Sequence, residues 1–344
     1  MGGLPHLRAP PPGMKVLLVT PAARGSRQGN RVTALRWARM LRQLGHRVAI
    51  TTDYQQGAPD LLVALHARRS AASVARFHAA HPGRPIVVAL TGTDLYHDLA
   101  RSAEARRSLK LATRLIVLQP LALRALPAAL RAHTRVLYQS VPPLREAPRV
   151  SKDYFDVCVV GHLRAVKDPL RAALASRALP SASRVRVLHV GGALDGPLGE
   201  RARAEERRNP RYHWLGELTR ARTTNMLARC RLLVLSSRLE GGANVIGEAI
   251  VAGVPVLASR IDGSVGLLGA RYPGYFPVGD TAALTAALRR SEADPRFYEA
   301  LRRHVASLRP LFDPAREVDG WRSLVEELAG HAARHADNSL SSKR

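Results

Sequence analysis

The sequence predicts an α/β protein built from two doubly wound domains that face each other across a cleft. Two runs of apolar strands alternating with amphipathic helices carry this prediction, the first in residues 15–138 and the second in residues 156–258. Such apolar strands are typical of parallel sheets covered on both faces. The proline-rich segment 141–150, VPPLREAPRV, lies between the runs and has the composition of a linker. We therefore expect two Rossmann-like domains, with ligands beyond the carboxyl ends of the strands.

The first run begins with the apolar strand KVLLVT, residues 15–20, and a loop rich in Gly, Ser and Arg. A helix is predicted next, because apolar residues recur at helical spacing and Gly45 follows as a stop: Ala34, Trp37, Ala38, Leu41 and Leu44. Further strands are predicted at 47–52, 61–65, 86–90, 115–118 and 135–138.

The second run has predicted strands at 156–160, 185–190, 232–235 and 256–258. Residues 294–311 and 315–329 show helical apolar spacing on either side of Asp313-Pro314. Both ends of the chain, residues 1–13 and 331–344, are polar or proline-rich and are predicted to be disordered.

The composition is that of a globular protein with a large positive charge. Of 344 residues, 46% are hydrophobic, and 53 Lys and Arg against 27 Asp and Glu leave a formal net charge of +26. This charge favours anionic ligands or surfaces, nucleic acid among them. Aromatic residues are only 5%, however, and the arginines are spread along most helices without a zinc-finger, RRM or basic-zipper pattern. We therefore expect no nucleic-acid partner.

The cysteines and the amino terminus bear on location. Cys158 and Cys230 lie in or beside apolar runs and look like small buried residues, which fits a reducing cytoplasm. Residues 1–13 lack the apolar core of a secretory signal, and no run of 18 apolar residues occurs, so we expect neither export nor stable membrane insertion. No Asp-x-Asp pair or His/Cys cluster with metal spacing occurs, so we expect no metal or other cofactor.

Residues 240–259, EGGANVIGEAIVAGVPVLAS, have the pattern of a nucleotide-binding segment. Gly241 and Gly242 follow an apolar strand and open a loop where the backbone can approach a ligand closely. A helix is predicted at 244–252, and its free N–H groups would face the ligand near Ala243, Asn244 and Val245. Glu248, one turn inside this helix, is placed to accept hydrogen bonds from two vicinal hydroxyls, and Glu240 stays in the loop. Two glutamates are often mere surface charges, but their flanking glycines and strands favour a site.

Further donor candidates follow other predicted strands. The loop GHLRAVK, residues 161–167, begins with Gly161 and contains His162, Arg164 and Lys167, which could neutralise a diphosphate. Exposed basic residues in an ordinary loop are the competing interpretation. Backbone groups beyond the next strands could hold a flat base, although plain turns explain these glycines equally well: Gly191, Gly216 and Glu217.

The first domain carries the acceptor candidates. Thr91-Gly92-Thr93-Asp94, Gln139-Ser140 and His66 each follow a predicted strand, and for His66 the alternative is a histidine hydrogen-bonded at a strand end. The loop before the first helix, RGSRQGNR at 24–31, suits a small anion at a helix N-terminus. Its predicted contacts are Arg27, Gly29, Asn30 and Arg31.

These residues resemble the GT-B glycosyltransferases, specifically the family 4 type, which use nucleotide-diphosphate sugars. Glu240 and Glu248 match the family's E-x7-E motif, residues 253–256 its G-x-P-V stop, and residues 161–167 its phosphate clamp. The resemblance covers about residues 14–330. It implies that Glu248 holds the donor ribose, Glu240 the sugar and Lys167 the diphosphate.

The resemblance also implies a domain division. Residues 14–144, with about 315–330 crossing back as the final helix, would form the acceptor domain, and residues 145–314 the nucleotide-sugar domain. His162 stands where the clamp usually has arginine, so either His162 or Arg164 could contact the diphosphate. Thr91 replaces the histidine of a His-Gly-x-Asp turn, whereas Asp94 is retained. Lys167, Glu240, Arg164 and Asp94 are the expected catalytic residues.

Four segments indicate a narrower resemblance: VTPA at 19–22, GNRVTA at 29–34, LTGTDLYHD at 90–98 and YQS at 138–140. They are similar to the selenosugar synthases of bacterial selenoneine biosynthesis. That resemblance implies a UDP-sugar donor, most often UDP-N-acetylglucosamine, selenophosphate as nucleophile, and later enzymes of the same pathway as partners. A small selenium anion needs positioning and charge balance more than deprotonation, which agrees with the lost histidine.

Three other functions stay open at the level of sequence. The first is a glycosyltransferase of the same fold with a sugar or lipid acceptor at a membrane surface, which the charge of +26 favours. The second is a UDP-sugar epimerase on the same two domains. The third is a basic nucleic-acid-binding protein, which predicts steeply salt-dependent duplex binding and no stabilisation by UDP-sugar.

Overall fold

The computed structural model describes residues 13–26, 29–144 and 149–341, the last eleven of these by backbone alone. The chain divides into two compact units. The first comprises the described part of Met1–Val117, with Leu126–Leu137 and Glu317–Arg344. The second comprises Leu118–Ala125 and the described part of Tyr138–Arg316.

The first unit contains a parallel six-stranded sheet in the order β2-β1-β3-β4-β5-β6. Its strands are β1 Lys15–Val19, β2 Arg47–Thr51, β3 Leu61–Leu65, β4 Ile86–Leu90, β5 Arg114–Val117 and β6 Thr134–Val136. Every residue of β3 and β4 is buried, as expected for central strands covered on both faces. The helices are α1 Gly29–Gln43, α2 Ala71–Ala80, α3 Leu99–Arg101, α4 Ala103–Leu111 and α5 Ala128–Arg131, with a π-helical turn at Asp94–Asp98.

The second unit contains a parallel six-stranded sheet in the order β12-β11-β10-β7-β8-β9. Its strands are β7 Phe155–Val160, β8 Val185–Val190, β9 Tyr212–Trp214, β10 Leu232–Leu235, β11 Val256–Ser259 and β12 Tyr275–Phe276. Its helices are α6 Arg171–Arg177, α7 Gly196–Arg208, α8 Arg220–Arg229, α9 Asn244–Ala252, α10 Asp262–Leu268, α11 Thr281–Ala293 and α12 Pro295–Leu308. Strands β7, β10 and β11 are buried at the centre of its core.

The last helix, α13, spans Pro314–Ser341 and differs from the prediction. Disorder was expected from residue 331, but the backbone stays helical through Ser341, and residues 331–341 include three alanines and neither glycine nor proline. From Glu317 onward α13 belongs to the first unit. Trp321 there packs edge-on against Trp37 of α1, with ring centroids 5.0 Å apart, and Trp37 Nε1 donates to Glu317 Oε1 at 2.7 Å.

Two short segments leave the first sheet and pack with the second unit. Leu118–Ala125, which contains a 3₁₀ turn, lies against α10. After β6, Val141 N–H donates to Phe312 O at 3.0 Å, and the ring of Tyr138 packs on Phe312. Gln139 and Ser140, which were predicted as acceptor contacts of the first domain, are therefore buried in the unit that contains α9.

Candidate functional site

The helix α9 begins beyond the end of β10 and exposes an uncapped N-terminus. Ala243 occupies the cap position and offers no side-chain hydrogen bond, and the first turn has no acidic residue. The first backbone N–H groups of such a helix favour an anion. The helix ends at Gly253, whose φ of 73° lies in the left-handed region. The predicted bounds, 244–252, are those of α9.

Lys167 and Glu240 form an ion pair at this end of the second sheet. The Lys167 side chain is 30% exposed and that of Glu240 11%. Ser237 Oγ donates to the same Glu240 Oε1 at 2.6 Å. The pair joins two loops that are 73 residues apart in sequence and brings together two of the four predicted catalytic residues. It places a cation and a carboxylate side by side, as a diphosphate with an attached sugar would require.

The loops that carry this pair are also held together by backbone groups. Arg238 N–H donates to Val166 O at 2.8 Å, and Ser236 Oγ donates to Asp168 O at 2.8 Å. Asp168 has a φ of 45°, an uncommon conformation for a residue with a side chain. Its carboxylate accepts from Arg171 Nε at 2.9 Å. The side chain of Lys167 therefore projects from a turn whose conformation these hydrogen bonds hold.

Gly161 and Gly191 differ in why each position needs glycine. A Cβ on Gly191 would lie 1.9 Å from Gly161 O, so the protein itself requires glycine at residue 191. A Cβ on Gly161 would meet no described atom within 4 Å. The space beside Gly161 is thus open on the side where a ligand of this loop would lie.

His162 and Arg164 occupy different environments. His162 is partly buried, and its Nδ1 accepts a hydrogen bond from Gly192 N–H at 3.1 Å. Glu217 lies near Gly192 as well, because a Cβ added to Gly192 would be 3.4 Å from Glu217 Oε2. Gly216, the residue before Glu217, has a φ of 66°, in the left-handed region. Arg164 is exposed. The ring of His162, with Nδ1 as acceptor, has Nε2–H as its remaining donor when neutral.

Glu248 lies on the second turn of α9, and its side chain is 14% exposed. Arg220, the first residue of α8, places one guanidinium nitrogen 3.9 Å from Glu248 Oε1. Gly242 packs closely in front of this helix, since a Cβ there would lie 2.5 Å from Leu118 Cβ. The predicted donor residues thus all lie within the second unit.

Asp94 of the first unit was predicted to be catalytic, and in the structure its carboxylate is bound by backbone groups of the first unit. The residue is fully buried, and its carboxylate accepts hydrogen bonds from Ala67 N–H at 3.0 Å, Thr91 N–H at 2.9 Å and Gly92 N–H at 2.8 Å. Three backbone donors satisfy a carboxylate and hold it away from solvent. Asp94 therefore shapes the 91–93 turn.

His66 is 3% exposed and has a φ of 77°, a strained conformation of the kind often found at functional sites. Its Nδ1 accepts from Arg69 N–H at 3.3 Å, so its Nε2–H donates to Thr93 Oγ1 at 3.1 Å. Burial lowers the pKa of His66 below its ordinary value, against the opposing effect of Asp94 and Asp98. His66, predicted as an acceptor contact, is thus buried and orients Thr93.

Asp98 completes this cluster, which the sequence did not reveal. Arg68 Nε lies 2.8 Å from Asp98 Oδ2, and His97 Nδ1 lies 3.1 Å from Oδ1. Burial pushes the pKa of Asp98 upward, but the hydrogen bonds from Arg68 and His97 outweigh it and keep the pKa below its ordinary value. The Arg68 side chain is 43% exposed. Thr91 and Thr93 are partly exposed here, and Arg68 and His97 are exposed.

The remaining acceptor predictions concern the start of α1. Gly29 and Asn30 open this helix, and Arg31 lies in its first turn, partly buried. The helix has no acidic residue in that turn. Arg27 lies outside the described residues.

Metal and membrane features were sought across the part of the chain that the structure describes. No group of three or more His, Cys, Asp or Glu side chains there is arranged to hold a metal ion. No helix among those residues has the length and apolarity to cross a bilayer.

The second unit matches a known protein family. Residues 141–306 match the family described as "Glycosyl transferases group 1". Glu240, Glu248, Lys167 and Gly161 all lie within the matched segment. No match was found among curated protein sequences.

Solved glycosyltransferases share the fold of the chain. HepE of Anabaena in complex with UDP is similar with a TM-score of 0.73 and 18% identity, over 91% of this chain and 100% of that chain. Sucrose-phosphate synthase from Thermosynechococcus elongatus gives 0.72 and 17%, over 92% and 99%. The UDP-forming α,α-trehalose-phosphate synthase from Burkholderia vietnamiensis gives 0.65 and 16%, over 91% and 80%. The predicted fold class, two parallel-sheet α/β domains as in GT-B enzymes, is confirmed.

Proposed function

We propose that this protein transfers a sugar, N-acetylglucosamine, from a UDP-sugar to selenophosphate and forms a carbon–selenium bond. The observation that carries the donor half is the Lys167–Glu240 pair beside the uncapped N-terminus of α9. Complexes of HepE with UDP and with UDP-glucose support uridine diphosphate as the carrier. The acceptor half rests on the resemblance of the 90–98 and 29–34 segments and on the cluster around Thr93.

In this proposal the bound donor rearranges the ion pair. Lys167 leaves Glu240 for the diphosphate, and Glu240 accepts hydrogen bonds from sugar hydroxyls. The α9 N–H groups share the negative charge of the diphosphate with Lys167 and with the Nε2–H of His162. Glu248 accepts from the two ribose hydroxyls. The reaction needs no metal, because these groups neutralise the leaving group, and we expect full turnover in the presence of a chelator.

The proposed reaction is a displacement at the anomeric carbon. A selenium lone pair forms the new bond to that carbon, the carbon–oxygen bond to the diphosphate breaks, and the electron pair leaves with UDP. Selenophosphate is anionic and already nucleophilic, so the enzyme must orient it and balance its charge. Thr91, Thr93 and the exposed Arg68 offer hydroxyl and guanidinium donors for this purpose. Asn30 and Arg31 at the start of α1 offer a second set.

The test is a matrix of donors and acceptors. The purified chain is incubated with UDP-N-acetylglucosamine, UDP-glucose or UDP-galactose and with selenophosphate, thiophosphate, phosphate or a simple sugar, and UDP release and product mass are followed. We expect a selenium-bearing N-acetylglucosamine with stoichiometric UDP. Absence of a selenium product from every donor contradicts the proposed acceptor and leaves the donor assignment standing.

The other functions give distinguishable results in the same matrix. A glycosylated sugar product, or turnover that requires anionic vesicles, indicates a sugar or lipid acceptor. UDP release or an epimerised sugar without a second substrate indicates an epimerase. Salt-sensitive duplex binding without any stabilisation by UDP-sugar indicates a nucleic-acid-binding protein.

Glu248→Gln tests the ribose contact with a matched control. A charged acceptor contributes about 1.5–3 kcal/mol per hydrogen bond, so the KM for UDP-sugar should rise about 10- to 100-fold with a smaller change in kcat. Glu200→Gln changes an exposed glutamate of α7 in the same unit and should leave both constants unaltered. An unchanged KM in Glu248→Gln would exclude the ribose assignment.

A further inference from the structure

The imidazole of His189 connects the end of β8 to the predicted phosphate-binding loop. His189 is fully buried, one residue before the end of that strand. Its Nε2 lies 3.1 Å from Gly161 O, and its Nδ1 lies 2.8 Å from the Tyr212 hydroxyl in β9. The residue is absent from the motifs of the sequence, and nothing in the donor site described above uses it.

The two partners determine the state of the ring. A carbonyl oxygen can only accept, so Nε2 carries the hydrogen and donates to Gly161 O. Nδ1 then accepts from the Tyr212 hydroxyl, whose pKa burial raises. Burial lowers the pKa of His189 to about 4, so the ring is neutral near pH 7 and this pattern persists.

Both backbone groups of Gly161, its N–H and its carbonyl, are therefore held by hydrogen bonds. Gly161 N–H donates to Val190 O at 2.9 Å while its carbonyl accepts from His189. Leu163 N–H donates to Gly192 O at 3.0 Å. These hydrogen bonds to the end of β8 therefore fix the direction in which the loop from Gly161 to Lys167 begins.

We infer that His189 is a positioning residue for the donor diphosphate, acting through the Gly161 carbonyl to orient the loop that carries His162 and Lys167. The inference rests on the proposed function, because it assumes that this loop binds the diphosphate. Without the His189 hydrogen bond the Gly161 peptide can rotate, and the bound loop conformation then becomes only one of several.

Two substitutions separate positioning from mere packing. Gln at residue 189 can keep a donor near the Nε2 position, whereas Asn can keep an acceptor near the Nδ1 position and loses the bond to Gly161. Each variant leaves one buried partner unsatisfied, so His189→Gln and His189→Asn should lose similar stability. UDP affinity is measured by calorimetry, and thermal unfolding is measured without ligand.

We expect His189→Gln to bind UDP within about 3-fold of the wild type and His189→Asn to bind about 10-fold more weakly, at matched melting temperatures. Hydrogen exchange should rise in peptides spanning 161–167 in His189→Asn alone. If the two variants bind UDP equally well, the inference is overturned. UDP binding by the wild type in the same experiment would still support the donor part of the proposed function. No UDP binding by the wild type would instead overturn the proposed function.

A second variant keeps the test decisive if His189→Asn does not fold. Tyr212→Phe removes the hydroxyl that holds Nδ1 on the other side of the ring, so the ring can turn and the bond to Gly161 is lost in part of the molecules. We expect UDP binding about 3-fold weaker than in the wild type. An unaltered affinity in Tyr212→Phe, together with unaltered exchange in 161–167, would overturn the inference.

Discussion

The donor half around α9 and the acceptor half around the 91–98 turn use charged residues in opposite ways. Lys167 and Glu240 are partly exposed and pair with each other, so a ligand can exchange with either partner. Asp94 and Asp98 are buried and satisfied by backbone N–H groups or by Arg68 and His97. In the proposed function the first arrangement binds a ligand directly, whereas the second builds a rigid turn that presents Thr91 and Thr93.

This difference explains why one sequence pattern can predict different roles. An aspartate beyond a strand end and a glutamate beyond a strand end look alike in sequence. Burial separates them, because a carboxylate surrounded by backbone donors has no free lone pair to offer a substrate. Substitutions in the donor half should therefore lower activity at constant stability, and those in the acceptor turn should lower stability first.

Lys167→Ala should give the largest effect. Removing one preorganised cation from a leaving group typically costs about 100- to 1000-fold in kcat, so we expect at least that loss with saturating UDP-sugar. Steady-state UDP release measures it. Lys152→Ala, an exposed lysine of the same unit, is the matched control and should retain full turnover. Full turnover in Lys167→Ala would contradict the assignment of Lys167 to the diphosphate. The proposed difference between the donor half and the acceptor half would then be lost.

Asp94→Asn should give the second-largest effect, and this effect should be on stability and not on UDP binding. The amide turns a donor toward backbone N–H groups that need an acceptor, so we expect the free energy of unfolding of the first unit to fall by about 2 kcal/mol. Urea unfolding measures this loss. UDP affinity, a property of the second unit, should stay within about 2-fold of the wild type. A variant with native stability and no activity would return Asp94 to a catalytic role.

Gly161→Ala sharpens the description of the donor half. The added methyl group meets no described protein atom within 4 Å, so the melting temperature should hold, whereas UDP binding should weaken about 10-fold because the methyl occupies ligand space. Gly191→Ala is the matched comparison, since its Cβ would overlap Gly161 O and should destabilise the unit. Unaltered UDP affinity in Gly161→Ala would place the diphosphate elsewhere.

Acidification should produce the smallest effect. Burial lowers the pKa of His189 to about 4 in the folded state from 6.5 for a solvated histidine, so the unfolded chain binds more protons between these values. Stability contributed by the neutral ring is present above pH 6.5 and is lost as pH falls. We expect a loss of about 1 kcal/mol from pH 7 to pH 5.5. Urea titrations at both pH values should show a smaller loss in His189→Gln, and equal losses would contradict the assignment.

The central secondary structure was predictable because its signals are local. The bounds of β3, β4, β8, β10 and α9 are those predicted, and β1, β2 and β11 differ by one residue. Continuous apolar runs and glycine stops need no distant partner to be recognised. The strands β9 and β12, with three and two residues, were missed because so short a segment carries no periodicity.

The site was predictable only in part. Gly161, Lys167, Glu240 and Glu248 were identified from spacing and flanking glycines, and all lie in the segment that matches the group 1 glycosyl transferases. Asp94, predicted to be catalytic, is fully buried, and Gln139 and Ser140 lie in the second unit, whereas the first domain was expected. Burial and unit membership depend on contacts far apart in the chain, which spacing does not encode.

The sequence by itself determined the two α/β domains and the residues of the donor loop, because hydrophobic periodicity and backbone-specific residues act within a few positions of one another. The tertiary structure alone decided which charges face a ligand. The pairing of Lys167 with Glu240 and the bond from His189 to Gly161 join residues 73 and 28 positions apart. Such contacts form only when the sheet brings its strand ends together, and the desolvation that accompanies them determines the charge state and exposure of each group.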